Sequence, residues 1–405
     1  MTPERATPLR RAAPAAVVGI LLFLAACFVP RIGIYTGDQV EDVRLFQTFG
    51  ERFLAGEIPY RDFFLEYPPG ALTSFVVPAL AASEDFTLAF KLLHIVFGCA
   101  VVGCVSVTLA LLDASRTRLY AATALAATTP LILGPTVLNR YDLWPALLTA
   151  AGLAALVGGR TVLGPALLGL ATIAKGYAIV LLPLAVLYVW RRRGPEQAKR
   201  SLIAYGAAVL VVMLPFAALG PGGLKHSLWI QLRRGLHIES LAGSVLAAAD
   251  RLGLYTAHVF NGFAIELEGT LPSVAAAAST LIQIVALGAV WLVFARGEPS
   301  RQRLITASAA AVTAFVVFGK VLSPQFIIWL VPLVALVPGV TPSLLVVAAA
   351  ALTRGFFPER YSGVTHIQRE TWLVLSRNLV LVMLFATLLR LLAQRRAGAE
   401  TAAGR

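Results

Sequence analysis

Long runs of apolar residues alternate with short polar segments over the whole chain. Inside the runs, apolar residues follow one another without the two-residue alternation of a half-buried strand, which favours helices. A helix that crosses a bilayer needs about 20 such residues, because each residue adds about 1.5 Å along the axis. We therefore predict about a dozen membrane-spanning helices, several of them short. The predicted spans are 14–30, 86–112, 119–135, 143–158, 161–174, 176–190, 201–218, 273–295, 304–319, 324–338, 342–353 and 372–392.

Three of these runs need a separate interpretation. Runs 161–174 and 176–190 are each short for a straight crossing, so we expect broken or tilted helices there. Run 14–30 has a second interpretation as a cleaved signal peptide, because Ala25-Ala26-Cys27 near its end is a stretch of small residues. We expect a retained helix, since the charge distribution of the loops fits a chain that keeps it.

Composition supports a membrane protein. Hydrophobic residues make up 58% of the 405 residues and charged residues 14%, and the mean hydropathy is +0.78. A globular protein has about 45–50% apolar and about 25% charged residues. Lipid must therefore surround much of the surface, and helices satisfy their backbone polar groups internally there. The expected fold class is an all-α polytopic membrane protein with a single transmembrane domain over residues 1–405.

The net charge of +13 is unevenly distributed. Basic residues dominate one set of loops, for example Arg191-Arg192-Arg193, whereas acidic and basic residues nearly balance in the other set. The positive-inside rule places the basic set in the cytoplasm. We thus expect a multi-pass cell-membrane (inner or plasma membrane) protein with cytoplasmic N- and C-termini, including a tail at 394–405. No nucleic-acid partner is expected.

Four polar segments then fall on the extracytoplasmic side, and function is expected there. They are 31–70, 136–142, 219–272 and 354–371, to which the short helix connection 320–325 adds a charge and a proline. Polar groups at membrane level are costly, which makes them candidates for a functional role.

The first extracytoplasmic loop contains a predicted amphipathic helix. Between residues 40 and 54, apolar residues recur at three- and four-residue spacing, and Gly56 is placed to end the helix. We expect this helix to lie in the outer membrane interface with its phenylalanines toward the acyl chains. The apolar positions are Val43, Phe46, Phe49 and Phe53, and the acidic residues at its start are Asp38, Glu41 and Asp42.

An acidic residue beside an interfacial helix suits sugar transfer from a lipid carrier. A sugar on a polyprenyl phosphate presents its head at the outer surface while its tail stays in the bilayer. A carboxylate can take the proton of an acceptor hydroxyl as the anomeric carbon is attacked. Cationic side chains can stabilise the departing phosphate. The chain lacks a phosphate-binding GxxxxGK[ST] loop.

The first loop resembles a known family in its motifs. Asp42-Val43-Arg44-Leu45-Phe46, the segment 54–63 (LAGEIPYRDF) and Glu66-Tyr67-Pro68-Pro69 resemble the first extracytoplasmic loop of GT-C superfamily glycosyltransferases that use polyprenyl-phosphate sugars. The chain is most similar to glycosyltransferase family 87, which includes mycobacterial mannosyl- and arabinosyltransferases. Further similarities follow in order at 139–142 (NRYD), 167–175, 234–240 (RGLHIES) and 320–326 (KVLSPQF).

The resemblance implies a GT-C-like bundle of about 10–12 transmembrane helices and an inverting single-displacement reaction. Asp42 matches the family's presumed general base, although Phe46 stands where the family commonly has tyrosine. Asp38, about one turn earlier, competes for this role. A purely structural cluster of interfacial carboxylates is the third interpretation.

The other candidate residues are assigned to donor and acceptor binding. Each has a structural alternative: loop salt bridges for the first-loop residues, an Arg140–Asp142 ion pair that closes a helix hairpin, snorkelling for Lys175, or an amphipathic loop helix around Arg234. The candidates besides Asp38 are Arg61, Asp62, Glu66, Arg140, Lys175, Arg234, His237, Lys320 and Gln325.

We expect no cofactor and no metal. Asp38, Glu41 and Asp42 share a helix face and form a conceivable divalent-cation site, but nothing else in the loop completes a coordination shell. The three cysteines lie in apolar runs, without metal-ligand spacing or a disulfide framework.

The expected function is transfer of a sugar, mannose or arabinose, from a polyprenyl-phosphate donor to an extracytoplasmic glycolipid or polysaccharide acceptor. The alternative is a transporter or a lipid-linked-sugar flippase, the default class for a chain with many spans. However, transporters tend to show repeated halves and charges near the midplane, and here the polar residues gather at one face. An assembly partner without chemistry is a third class.

Overall fold

The computed structural model describes residues 3–29, 42–81, 85–262 and 264–394. Its contacts divide the chain into two compact units, Met1–Arg233 and Arg234–Arg405. The helices of the first unit are α1 (Pro3–Phe28), α2 (Asp42–Leu54), α3 (Thr73–Ala81), α4 (Phe86–Leu111), α5 (Arg116–Ala127), α6 (Thr129–Leu133), α7 (Leu143–Val157), α8 (Leu163–Ala174), α9 (Leu182–Arg193), α10 (Pro195–Leu219) and α11 (Pro221–Arg233). Short 3-10 helices cover Pro69–Leu72, Gly134–Val137 and Gly176–Leu181.

The second unit combines helices with one small sheet. Its strands β1 (Leu236–His237), β2 (His258–Asn261) and β3 (Ile265–Glu268) pair antiparallel in the order β1-β3-β2. Its helices are α12 (Leu241–Arg251), α13 (Thr270–Arg296), α14 (Arg301–Phe318), α15 (Ile327–Ala335), α16 (Val340–Phe356), α17 (Tyr361–Thr365) and α18 (Thr371–Gln394), with a 3-10 helix at Pro324–Phe326. Nearly all of α14 and the whole of α15 are buried, so they form the core of this unit.

The helices confirm an all-α polytopic membrane protein. Within the described residues, the helices α1, α4, α10, α13 and α18 are long and apolar enough to cross a bilayer. Shorter apolar helices include α7, α8 and α16. Within the described residues, each of the twelve predicted spans coincides with one helix or with two or three consecutive helices. The number of crossings and the side of the termini remain predictions.

The predicted break between runs 161–174 and 176–190 is present. The helix α8 ends at Ala174, and Lys175 has extended backbone angles, φ −160° and ψ 119°. A 3-10 helix then leads into α9. The break places the Lys175 side chain at a helix end, where it is available to neighbouring loops.

The amphipathic helix of the first loop forms as α2, and its end at Gly56 is confirmed. Gly56 has φ +87°. Its N–H bonds the Phe53 carbonyl, and the Glu57 N–H bonds the Arg52 carbonyl at 3.0 Å. This pair of bonds is the Schellman arrangement, which needs a left-handed residue that glycine supplies without strain.

The predicted orientation of this helix was wrong. Val43, Phe46 and Phe49 are buried inside the protein instead of facing acyl chains. The Phe46 ring stacks on Phe75 of α3 and on Phe90 of α4, with centroids 4.7 and 5.5 Å apart. The apolar face of α2 was predicted correctly from the sequence pattern. However, α3, which was not predicted, covers that face in place of lipid.

Candidate active site

Asp42 lies at the first residue of α2, where its carboxylate forms an ion pair with the guanidinium of Arg140. The two side chains are 29% and 17% exposed, respectively. An acidic residue in the first helical turn is favoured by the helix dipole. The carboxylate is thus held by a cation on one side and remains partly open to solvent.

Arg140 belongs to a four-residue turn, 139–142, that begins soon after the 3-10 helix Gly134–Val137 and ends at α7. Three side chains of this turn are buried, namely Asn139, Tyr141 and Asp142. Asp142 receives a 2.7 Å hydrogen bond and ion pair from Lys175, whose side chain is 15% exposed. The Lys175 ammonium also lies 4.3 Å from the centroid of the Tyr141 ring.

Tyr141 connects this turn to the first loop. Its ring packs edge-on against Phe46, Tyr67 and Phe75, at centroid distances of 5.8, 5.1 and 5.5 Å. Phe46 lies one helical turn after Asp42. The turn therefore meets α2 twice, through the Arg140 ion pair and through the Tyr141 ring.

Glu66 lies at the edge of the same cluster. Its backbone carbonyl accepts a hydrogen bond from the Gln231 side chain at 3.0 Å. Its charge acts on Lys175 and on the neighbouring Tyr67. Burial raises the pKa of Tyr67 well above its usual value, and the Glu66 charge adds to the rise.

Arg61 and Asp62 form a salt bridge within the first loop. The Arg61 guanidinium donates to both Asp62 oxygens, at 2.9 and 2.8 Å, and the Ile58 N–H donates to Asp62 at 2.7 Å. The Arg61 bond first, and the Ile58 bond next, lower the pKa of Asp62 to about 2. This geometry is the loop salt bridge expected as the structural alternative, and an acceptor-binding role remains a prediction.

In the second unit, His237 and Lys320 are joined through the backbone. The His237 N–H donates to the Lys320 carbonyl at 3.0 Å. Burial lowers the pKa of Lys320, while the charge of Glu266 opposes that shift. Glu266 faces His237 across the β1–β3 pairing and accepts a 2.9 Å bond from the Gly235 N–H.

The His237 imidazole is buried and neutral at physiological pH. Burial first, and the nearby Arg234 charge next, lower the pKa of His237 to about 3, although a bond to the Leu322 backbone opposes them. Its Nδ1 atom has no hydrogen-bond partner among the described residues. The structure therefore brings Arg234, His237 and Lys320 together in this unit.

Gln325 follows in the 3-10 helix after Lys320. Its side-chain oxygen is buried and lacks a hydrogen-bond partner within the part of the chain that the structure describes. Its predicted role in donor or acceptor binding is not tested by this geometry.

Three ion pairs were not predicted from the sequence. Local spacing suggested a pair between Arg140 and Asp142, whereas the structure pairs Arg140 with Asp42 and Asp142 with Lys175. A fully buried pair also joins Arg377 of α18 to Glu239, at 3.2 Å. An arginine within the predicted span 372–392 was the available signal, because such a charge requires a partner.

Two of the predicted acidic residues, Asp38 and Glu41, lie outside the described residues. Within the described ranges, no group of three or more His, Cys, Asp or Glu side chains is placed to hold a metal ion. The choice between Asp42 and Asp38 as the base remains open to experiment.

Comparison with known proteins identifies the family. No curated protein sequence matches the chain. The sequence model of glycosyltransferase family 87 matches residues 64–324, which is more than half of the chain and includes the turn 139–142, Lys175 and Lys320. The match begins after Asp42, so it does not test that residue. Together with the long apolar helices, it shows that the chain belongs to glycosyltransferase family 87 and is a membrane glycosyltransferase.

Proposed function

We propose that this enzyme transfers a sugar, mannose or arabinose, from a polyprenyl-phosphate donor to an extracytoplasmic glycolipid or polysaccharide acceptor, with inversion and with Asp42 as the general base. The observation that supports the base most directly is the Asp42–Arg140 ion pair at the start of α2, which leaves the carboxylate partly exposed. Membership of family 87 favours a transferase over the transporter or flippase alternative.

The proposed step is a single displacement. Asp42 accepts the proton of an acceptor hydroxyl while that oxygen attacks the anomeric carbon from the face opposite the phosphate. The carbon–oxygen bond to phosphate breaks, and polyprenyl phosphate leaves with the bonding electron pair. Arg140 holds the carboxylate, which stays 29% exposed and is in this way open to an acceptor hydroxyl.

The leaving phosphate needs positive charge, which we assign to Arg234 and Lys320. Both are cationic residues of the second unit, gathered around the neutral His237. The ammonium of Lys320 is partly buried, and its attraction to a phosphate becomes stronger as water is excluded. In this proposal, the segments 219–272 and 354–371 shape the acceptor site, and Gln325 contributes to donor or acceptor binding.

The test compares wild type with Asp42→Asn, both in nanodiscs, for transfer from mannosyl- and arabinosyl-phosphoryl-polyprenol. We expect kcat to fall by about 10²–10⁴-fold, the usual contribution of a general base, while donor binding persists. Glu51→Gln is the matched control, because Glu51 is an exposed carboxylate on the same helix, and it should retain activity.

Three outcomes would contradict parts of the proposal. An active Asp42→Asn enzyme would reject Asp42 as the base and direct attention to Asp38→Asn. Transfer with retention of anomeric configuration would reject the single displacement. A folded wild type that transfers no sugar from any polyprenyl-phosphate donor would reject the donor class.

A further inference from the structure

Lys175 and Asp142 form a buried ion pair behind the Asp42–Arg140 pair. Their Nζ and Oδ1 atoms are 2.7 Å apart, and the Asp142 side chain is only 1% exposed. A surface ion pair contributes little to stability, but a buried one is fixed in geometry, because either charge alone would be costly to bury. Separating Lys175 from Asp142 would therefore be costly in free energy, and the two side chains stay in contact.

Lys175 also contacts the middle of the turn 139–142. Its ammonium lies 4.3 Å from the centroid of the Tyr141 ring. The same side chain thus contacts two of the four residues of this turn, and both contacts involve buried groups. A short turn held at two successive residues has little freedom to shift its neighbour Arg140.

Arg140 in turn holds Asp42, and Tyr141 packs on Phe46 of the same helix. Four charges consequently alternate in sign from the start of α2 to the end of α8: Asp42, Arg140, Asp142 and Lys175. The first pair is partly exposed, and the second is more deeply buried. The buried pair is the more enclosed end of this series, and the partly exposed pair is the end nearer to solvent.

We propose that Asp142 and Lys175 are positioning residues that hold the turn 139–142 so that Arg140 orients the Asp42 carboxylate, and that Lys175 does not bind donor phosphate. This inference rests on the proposed role of Asp42. A displacement of about 1 Å at a reacting group can reduce the rate about 10²-fold, so loss of the buried pair should affect turnover without contact to substrate.

The test removes both charges together, in the full chain in nanodiscs. Lys175→Met alone would leave Asp142 buried without its cation and is expected to destabilise the protein. The double variant Asp142→Asn/Lys175→Met avoids this unpaired charge. We expect it to lower kcat by about 10–100-fold with KM for the donor unchanged. Lys175→Arg, which keeps the cation, should retain kcat within a few-fold.

A thermodynamic cycle with Arg140→Gln separates positioning from a general loss of structure. If the buried pair acts through Arg140, adding Asp142→Asn/Lys175→Met to Arg140→Gln should lower kcat by less than about twofold further. The matched control is Glu196→Gln/Arg200→Met, which removes an exposed helix pair and should leave kcat unchanged. Multiplicative losses, or a raised donor KM at constant kcat, would overturn the proposal.

Hydrogen exchange of α2 gives a readout that is independent of turnover. Both Arg140→Gln and Asp142→Asn/Lys175→Met should speed exchange at amides 46–50 and leave α10 unchanged. Unchanged exchange in α2 would overturn the positioning role, whether or not the protein transfers sugar. A wild type that is inactive with every donor would reject the proposed function, and the exchange data would still decide the positioning role.

Discussion

The charged side chains of the candidate site have ion-pair partners that lie far away in the sequence. Arg140 meets Asp42, almost a hundred residues earlier, although Asp142 stands two positions away. The resemblance of the first loop to the family identified Asp42 as the candidate base. The sequence marked Arg140, Asp142 and Lys175 only as charges at the ends of apolar runs. It could not assign the partners, because helix packing brings those ends together.

The buried His237 makes the protein sensitive to acid. Its pKa is lowered to about 3 in the folded chain, against about 6.5 when unfolded. The unfolded chain therefore binds the extra proton between these values, and stability falls as the pH decreases below about 6.5. At pH 5 we expect a loss of about 2 kcal/mol in the free energy of unfolding from this residue.

Thermal unfolding of wild type and His237→Gln from pH 7.5 to pH 5 measures this contribution. The glutamine side chain keeps a donor for the Leu322 backbone but does not titrate. The stability difference between the two proteins should therefore change by about 2 kcal/mol over this range in favour of the variant. Parallel curves would show that His237 is not buried in the neutral form.

At the scale of helices, the sequence predicted most of the fold. Each apolar run is helical, either as one helix or as consecutive short helices, and the break at Lys175 was visible as a charge between two short runs. The helix α3 was not predicted, because Pro78 and its short length weaken the helical pattern of its apolar residues. The strands β1 to β3 escaped because runs of two to four residues carry no readable period.

The contact between α2 and α3 depends on one glycine. A Cβ atom at Gly50 would collide with the backbone carbonyl of Phe75. Gly50→Ala should therefore separate the two helices and lower the free energy of unfolding by about 1–3 kcal/mol, the usual cost of overpacking. Because α2 begins with Asp42, transfer activity should fall as well.

Gly103→Ala is the matched control for this change, because a Cβ atom there meets no atom within 4 Å. Alanine in that helix should be neutral or stabilising by about 0.5–1 kcal/mol. The comparison uses thermal melting of both variants. Equal melting temperatures for the two would show that α2 and α3 are not in close contact.

At the scale of the whole molecule, the family and the membrane-spanning helices agree with the sequence prediction. The side on which each loop lies remains a prediction from the distribution of basic residues. The distribution of basic residues influences how a chain is inserted into a membrane. The topology is therefore measured on the protein in its own membrane. The single-domain organisation over residues 1–405 also remains a prediction.

Cysteine labelling in intact cells tests the topology. In a chain whose three native cysteines are replaced, Glu268→Cys should react with a membrane-impermeant maleimide, because segment 219–272 is predicted to be extracytoplasmic. Glu298→Cys should react only after permeabilisation. Both positions carry an exposed carboxylate in the folded protein, which makes them comparable. The reverse pattern would invert the predicted topology and move the proposed reaction to the cytoplasm.

The Asp142–Lys175 pair also bears on how the chain is assembled into the membrane. The two residues stand at the start of α7 and just past the end of α8, two consecutive apolar helices that pack as a hairpin. Their opposite charges can cancel within that hairpin before any later helix of the chain has been made. An isolated charge among apolar helices opposes partitioning into lipid, and cancelling it removes that cost. The pair thus allows α7 and α8 to enter the bilayer without an uncompensated charge at the end of the hairpin where Asp142 and Lys175 meet.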